Sequence, residues 1–293
     1  EQGQEAVNYM VKKGIPRQKN IYDLFIVGAG PAGISAALQS KKLGLNFKIV
    51  DQDSVGGTVY TFPRSKIVMT SPMDLPLHGK VKLYETSKTE LIELWEKVLA
   101  KNNISIQEHT KIDSIERTGA HFTIQDQKGN QYQAQRVLLA IGRRGTPRKL
   151  GIPGEMTEKV AYRLLEPELI QGEKIMVVGG GDSAVESAML LMDQNEVLLS
   201  YRKDTFSRIK PKNRERIQAA IDEGKIKMAF NTVPIEIKPE TIALQNNTTE
   251  EVEEIPNDRI YIFAGGELPT SFLKNSGIEI SKRFGYTVKQ YKK

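Results

Sequence analysis

The residues with the most legible chemistry are glycines. Gly28, Gly30 and Gly33 stand as Gly-x-Gly-x-x-Gly within Gly28-Ala-Gly-Pro-Ala-Gly33. The apolar run Tyr22–Val27 before them reads as a buried strand. Ile34–Leu43 after them reads as a helix closed by Gly44. A second strand, Phe47–Val50, ends in Asp51, 23 positions after Gly28. Each residue type has a task in this order. Gly28 permits a tight turn, Gly30 lets a pyrophosphate approach the backbone, and Gly33 lets helix and strand pack closely. The helix start, with Pro31 and Ala32, meets negative charge with free N–H groups. Asp51 can accept hydrogen bonds from a ribose. The glycine spacing alone is a weak signal; strand, helix and acid together make it a dinucleotide fingerprint. The alternative is a glycine-rich turn that holds no ligand.

A second fingerprint, Gly179-Gly-Gly-Asp-Ser-Ala184, lies between a strand at Lys174–Val178 and a helix at Ser183–Asp193. Ala184 replaces the third glycine, an allowed variant. The next strand, Val197–Ser200, runs into Tyr201-Arg-Lys-Asp204 and carries no acid where a ribose 2′-OH would want one. Arg202 and Lys203, with Arg208 nearby, suit the 2′-phosphate of NADP. NADPH is therefore expected ahead of NADH, with Gly179, Gly181, Asp182, Ser183 and Ala184 as further binding residues. An exposed basic turn is the alternative. Two dinucleotide sites in one chain point to two cofactors, one holding the redox group and one bringing hydride. FAD with NADPH is the economical pairing.

Composition narrows the chemistry. The 293 residues suggest two domains, each able to bury a core. There is no cysteine, which removes a disulfide, a thiolate metal site, an iron–sulfur cluster held by this chain and a cysteine nucleophile. The three histidines, His78, His109 and His121, are scattered, so no metal centre is expected. The net charge of +6 suits anionic ligands as well as plain surface solubility. Basic residues are dispersed apart from Arg143–Arg144, Arg202–Lys203, Lys210–Arg216 and Lys292–Lys293, and no patch interleaves aromatics as a nucleic-acid groove would. No apolar run reaches the roughly 18 residues of a membrane span and no signal peptide opens the chain, so a cytoplasmic protein is expected.

The remaining elements must position these turns. Residues 52–86 read as irregular. Ser87 and Glu90 form a capping box that opens a helix with Leu91, Leu94, Trp95, Val98 and Leu99 on one face. Short β-like runs fill Ile104–Ile141. The breaker-rich stretch 143–154 reads as the interdomain crossing. A helix near Asn213–Glu223, β-like runs to about residue 254 and a strand at Arg259–Ala264 follow the second fingerprint. The division is 1–145, a nucleotide-binding domain for FAD; 146–264, one for NAD(P)H; and 265–293, a return to the first.

On these motifs the sequence resembles the two-dinucleotide-binding-domain flavoproteins, specifically the thioredoxin reductase-like group. Gly28–Gly33 looks like their FAD fingerprint, and Gly56-Gly57-Thr58 like the glycine pair close to the flavin. Leu139-Ala140-Ile-Gly142 looks like their Ala-Thr-Gly motif, with Ile141 replacing Thr. Gly179–Glu186 is similar to their NADPH fingerprint, Tyr201–Phe206 to their 2′-phosphate motif, and Ile262–Gly265 to the strand returning to the FAD domain. The resemblance covers roughly 21–285. It implies an α/β fold of two nested Rossmann-like domains, each in three β/β/α layers, and a homodimer. It also implies two domains that rotate about the crossings at 143–154 and 265–270.

Two departures carry information. The family's Cys-x-x-Cys region is occupied by Val160-Ala-Tyr-Arg-Leu-Leu-Glu-Pro167, so this chain performs no thiol–disulfide exchange. The flavin must serve another acceptor: a ferredoxin or upstream iron–sulfur domain, a quinone or a small disulfide. Second, Glu1–Val11 looks like the family's closing helix, placed ahead of the first fingerprint as in a circularly permuted subgroup. Residues 1–14 are then expected to be the tail of an upstream segment; a stray N-terminal helix is the alternative. No catalytic acid or base is singled out. His78, Tyr60 and Met69 are weak candidates to face the flavin. The rival reading is a non-catalytic sensor or electron-transfer subunit that binds FAD and NADPH.

Overall fold

The computed structural model describes residues 1–64, 67–142 and 146–281. Arg143–Arg144, Lys292–Lys293, Gly285 and the end of the expected 265–293 return lie outside the described residues.

In chain order, α1 (Gln2–Lys12) precedes β1 (Leu24–Val27), α2 (Pro31–Lys42) and β2 (Phe47–Val50). Two small antiparallel pairs follow: β3 (Ile67–Met69) with β6 (Glu85–Ser87), and between them β4 (Met73–Leu75) with β5 (Gly79–Val81). The stretch expected to be irregular thus contains two hairpin-like pairs, too short to register as alternation. Next come α3 (Lys88–Lys101), β7 (Ile112–Thr118), β8 (His121–Asp126), β9 (Gln131–Ala134) and β10 (Val137–Leu139). Helix α3 starts at the capping box read from the sequence: Ser87 Oγ accepts from the Glu90 N–H, and Glu90 returns a carboxylate to the Ser87 N–H.

Strands β10, β1 and β2 form a parallel sheet in that order. The period of two splits its residues between layers. Leu24 and Ile26 face α2 and α3, in a core with Ile34, Leu38 and Trp95. Phe25 and Val27 face the antiparallel sheet β7–β8–β9, through Ile112, Ile115 and Ile124. Helix, parallel sheet and antiparallel sheet give three layers.

The second unit repeats this plan. It comprises β11 (Thr146–Pro147), β12 (Val160–Ala161), β13 (Lys174–Val178), α4 (Asp182–Leu191), β14 (Glu196–Tyr201), α5 (Pro211–Asp222), β15 (Ile226–Phe230), β16 (Thr232–Ile237), β17 (Thr241–Asn246), β18 (Val252–Pro256) and β19 (Arg259–Ile262). Its parallel sheet runs β12-β19-β13-β14-β15. Ile175 and Val177 face the helices, while Met176 and Val178 face the sheet β16–β17–β18. β20 (Gly266–Glu267) then pairs antiparallel with β11, and α6 (Thr270–Asn275) follows. The two chain crossings are thus one ribbon, tied again by the Arg148 N–H to the Gly265 carbonyl at 2.9 Å.

Helix α1 packs on the first unit. Val7 is fully buried against the first core, and Asn8 Oδ1 accepts from Gln39 Nε2 at 2.6 Å. A side chain at Gly3 would overlap the Ala32 carbonyl, so the helix crosses α2 at backbone contact. The fold is α/β with two nested Rossmann-like units.

Candidate functional site

The two glycine turns open onto one cleft of about 1380 Å³. Gly28, Gly30, Pro31 and Ala32 line it from the first unit, and Gly181, Asp182, Ser183 and Ala184 from the second. Asp51, Gly57, Thr58, Ala140 and Gly142 also line it. Gly33, Gly56 and Gly179 do not line it but shape the turns that do.

The glycines divide by what a Cβ would meet. Gly28 has φ +108°, and a Cβ there would overlap the Ala140 carbonyl oxygen. A Cβ at Gly33 would overlap the carbonyl of Gly28. These two close the turn and seat α2 on β1. Gly30 is different: its φ of −74° suits any residue, and a Cβ would meet nothing within 4 Å. Nothing inside the protein requires glycine there. The second turn matches this pattern. Gly179, at φ +143°, would strike the Phe263 carbonyl, whereas Gly181 has an ordinary extended backbone and open space. The open glycines are the N-caps of α2 and α4, so each leaves free N–H groups facing the cleft. Open room before a helix N-terminus is what a pyrophosphate needs. At Gly57 a Cβ would lie 3.2 Å from the Gly30 Cα, so the second glycine pair lies against the first turn. Gly56 donates its N–H to the Ala29 carbonyl at 3.0 Å and fixes that contact.

Asp51 is buried at the end of β2. Its Oδ2 accepts the Ala29 N–H at 2.5 Å and its Oδ1 the Asp53 N–H at 2.8 Å. Burial pushes its carboxyl above the ordinary aspartate value, against these two donors. A carboxylate held in this way presents fixed acceptors to a ribose.

Arg202, Lys203 and Arg208 are not in the cleft wall. They are exposed on the turn after β14. Asp182 Oδ1 accepts the Lys210 N–H at 2.9 Å and Asn213 Nδ2 at 2.8 Å. That carboxylate therefore anchors the far end of the basic turn to the start of α4. Tyr201 stacks on Phe206 with ring centroids 5.9 Å apart, and its ring fills the space a Cβ on Gly180 would take.

Three weak candidates do not reach the cleft. His78 sits exposed in the β4–β5 turn, Met69 is exposed on β3, and the Tyr60 ring packs under Lys88 Nζ at 5.1 Å. Sequence reasoning missed Phe62, Arg163, Leu164, Glu186 and Phe272, which do line it. Phe62 and Leu164 come from loops and Phe272 from a short helix, none of them carrying a local motif. Arg163 belongs to the thiol-free segment, and Glu186 lies at the end of the fingerprint already quoted.

Between the units, the buried Glu155 accepts the N–H groups of Leu150 and Gly151 at 2.6 Å each and the Tyr162 hydroxyl at 2.7 Å. Burial pushes its carboxyl up, but the donors outweigh it and hold it below the ordinary glutamate value. Tyr162 is pushed far above the usual phenol range by burial and by this neighbour.

The described residues include no group of three or more His, Cys, Asp or Glu that could hold a metal ion. No described helix is long and apolar enough to cross a membrane.

The pyridine nucleotide-disulphide oxidoreductase family model matches residues 25–291. The chain is 30% identical over 264 residues to a ferredoxin–NADP reductase of Ignicoccus hospitalis, covering 88% of this chain and 82% of that protein. It is 24% identical over 265 residues to the bacilliredoxin reductase Bdr of Bacillus subtilis, covering 89% and 82%. In fold it resembles the bacillithiol disulfide reductase Bdr (YpdA) of Staphylococcus aureus, with a TM-score of 0.75 at 24% identity over 91% of this chain and 83% of that one.

Proposed function

This chain belongs to the pyridine nucleotide-disulphide oxidoreductase family, and from that premise we propose how its two turns divide the work of an FAD-dependent NAD(P)H oxidoreductase. The first turn holds FAD: Gly30, Pro31 and Ala32 receive its pyrophosphate, Gly28 and Gly33 close the turn behind it, and Asp51 takes its ribose. Gly56, Gly57, Thr58, Ala140 and Gly142 shape the wall toward the flavin ring. The second turn holds NADPH through Gly179, Gly181, Ser183 and Ala184. Arg202, Lys203 and Arg208 read the 2′-phosphate, and Asp182 sets the position of their turn. Bound FAD supplies hydride acceptance and onward one- or two-electron transfer, which no side chain here can provide. The protein's share is positioning and exclusion of water, and it needs no acid or base for hydride transfer. The observation that carries this division is the pair of open N-cap glycines facing one cleft.

The acceptor is read as a ferredoxin-type iron–sulfur carrier. The Ignicoccus relative is named for that reaction, and a chain without cysteine relays no electrons through its own thiols. Helix α1 is read as the segment that completes the first site, because Gly3 meets Ala32 beside the turn and Gln2 reaches the cleft wall.

The test is anaerobic. The purified chain is mixed with NADPH while the visible flavin band is followed, and oxidised ferredoxin or a low-molecular-weight disulfide is then added. Bleaching followed by rapid return of colour with ferredoxin supports the reading. Return only with the disulfide reassigns the acceptor. Bound flavin that never bleaches favours a non-catalytic binder.

A further inference from the structure

Besides the crossing ribbon, the two units are joined by an ion pair. Arg163 Nη1 and Nη2 donate to Asp53 Oδ1 and Oδ2 at 3.2 and 2.9 Å. We propose that this pair is a latch with which the second unit closes the adenosine end of the first dinucleotide site, so that FAD leaves only when the pair breaks. The proposal rests on the reading of the first site as an FAD site.

Its placement follows from the strand ends. Asp53 lies two residues beyond Asp51 and is bonded to that carboxylate through its own N–H. In a Rossmann-type unit the acid at this strand end marks the ribose. Asp51 holds the glycine turn through Oδ2 and Asp53 through Oδ1, so Asp53 lies on the other side of this acid from the glycine turn. The His109 N–H bonds the Asp53 carbonyl at 3.0 Å and fixes its backbone. Asp53 and Arg163 both line the cleft.

Arg163 approaches from the other unit. It directly follows β12, an edge strand of the second sheet, and Tyr162. Tyr162 is held by Glu155, whose carboxylate also binds the crossing at Leu150 and Gly151. On the far side of Arg163, the Leu165 carbonyl accepts the Arg64 N–H at 3.0 Å, a second bond to the first unit. Among the described residues, the hydrogen bonds of the Arg163 guanidinium go to Asp53 alone. A two-pronged pair is sensitive to angle, so a change in the relative tilt of the units would be felt there first.

The experiment uses the full chain loaded with FAD and follows release as the rise of free-flavin fluorescence after dilution. Both side chains are about one-third exposed (35% and 33%), so the expected effect is moderate. Arg163→Ala is expected to speed release about fivefold, the scale of a part-exposed bidentate pair. Asp53→Asn should do the same, and the double variant should be no faster than either single one. Raising the salt should speed release from the native chain and not from the variants. Release less than about threefold faster in Arg163→Ala, or single effects that multiply in the double variant, would overturn the latch. If Arg163→Ala does not fold, Asp53→Asn and the salt dependence decide by the same threshold. A native chain that never retains FAD instead overturns the reading of the first site, which separates the two failures.

Discussion

The two glycine turns are built alike and finished differently. In both, the first glycine has positive φ and would strike the carbonyl just beyond a neighbouring strand, and the third residue of the turn is an open N-cap. At the helix-packing position the first turn demands Gly33, since a Cβ would overlap Gly28, whereas the second accepts Ala184. The middle position reverses this. Ala29 is buried without strain, while Gly180 must be bare because Tyr201 lies on it. At the next strand end the first turn has buried Asp51 and the second an exposed turn with Arg202 and Lys203. On the proposed reading, one plan serves two nucleotides, told apart by a few side chains outside the glycines.

The largest expected effect tests the packing difference. Gly33→Ala forces a backbone overlap and should cost the chain roughly 3 kcal/mol or more in urea unfolding. Ala184→Gly should cost only about 1 kcal/mol. Equal losses would erase the distinction drawn between the turns.

Next is the open position. Gly30→Val should leave the unfolding of the flavin-free chain within about 1 kcal/mol of the native value, because a Cβ there meets no protein atom within 4 Å. It should nevertheless abolish flavin retention on purification. Gly181→Val should keep the flavin and raise the Kd for NADPH. A Gly30→Val chain with a full complement of FAD would show that the open space is not the pyrophosphate's.

The strand-end difference is smaller. Arg202→Ala removes one charge-assisted contact worth about 1.5–3 kcal/mol, so the preference for NADPH over NADH should fall at least tenfold. A parallel loss for both nucleotides would mean that the basic turn does not read the 2′-phosphate.

The smallest effect concerns the crossing that both turns share. Glu155 has a folded-state carboxyl held below its ordinary value. Its contribution is therefore present above the ordinary carboxylate range and is lost as pH falls through the folded value. Glu155→Gln should lower stability by about 1 kcal/mol near neutrality and by less in acid. A constant difference in Tm from neutral to acid pH would argue against an ionised Glu155.

The sequence by itself determined the two fingerprints, the parallel strand–turn–helix units, the capping box of α3 and the absence of a thiol relay. These are local facts: glycine spacing, two-residue and 3.6-residue periods, and cap chemistry act over a few neighbours. It also marked Glu1–Val11 as a helix, by its resemblance to the family's closing helix. Tertiary structure decided which glycines are packing and which are open, since Gly30 and Gly33 look alike as letters and differ only in what stands opposite them. It removed His78, Tyr60 and Met69 from the cleft, and it paired the two crossings into one ribbon. It also joined Asp53 to Arg163 across 110 residues. No periodicity or spacing can announce such a pair, because the meeting of two distant loops is set by how the sheets pack.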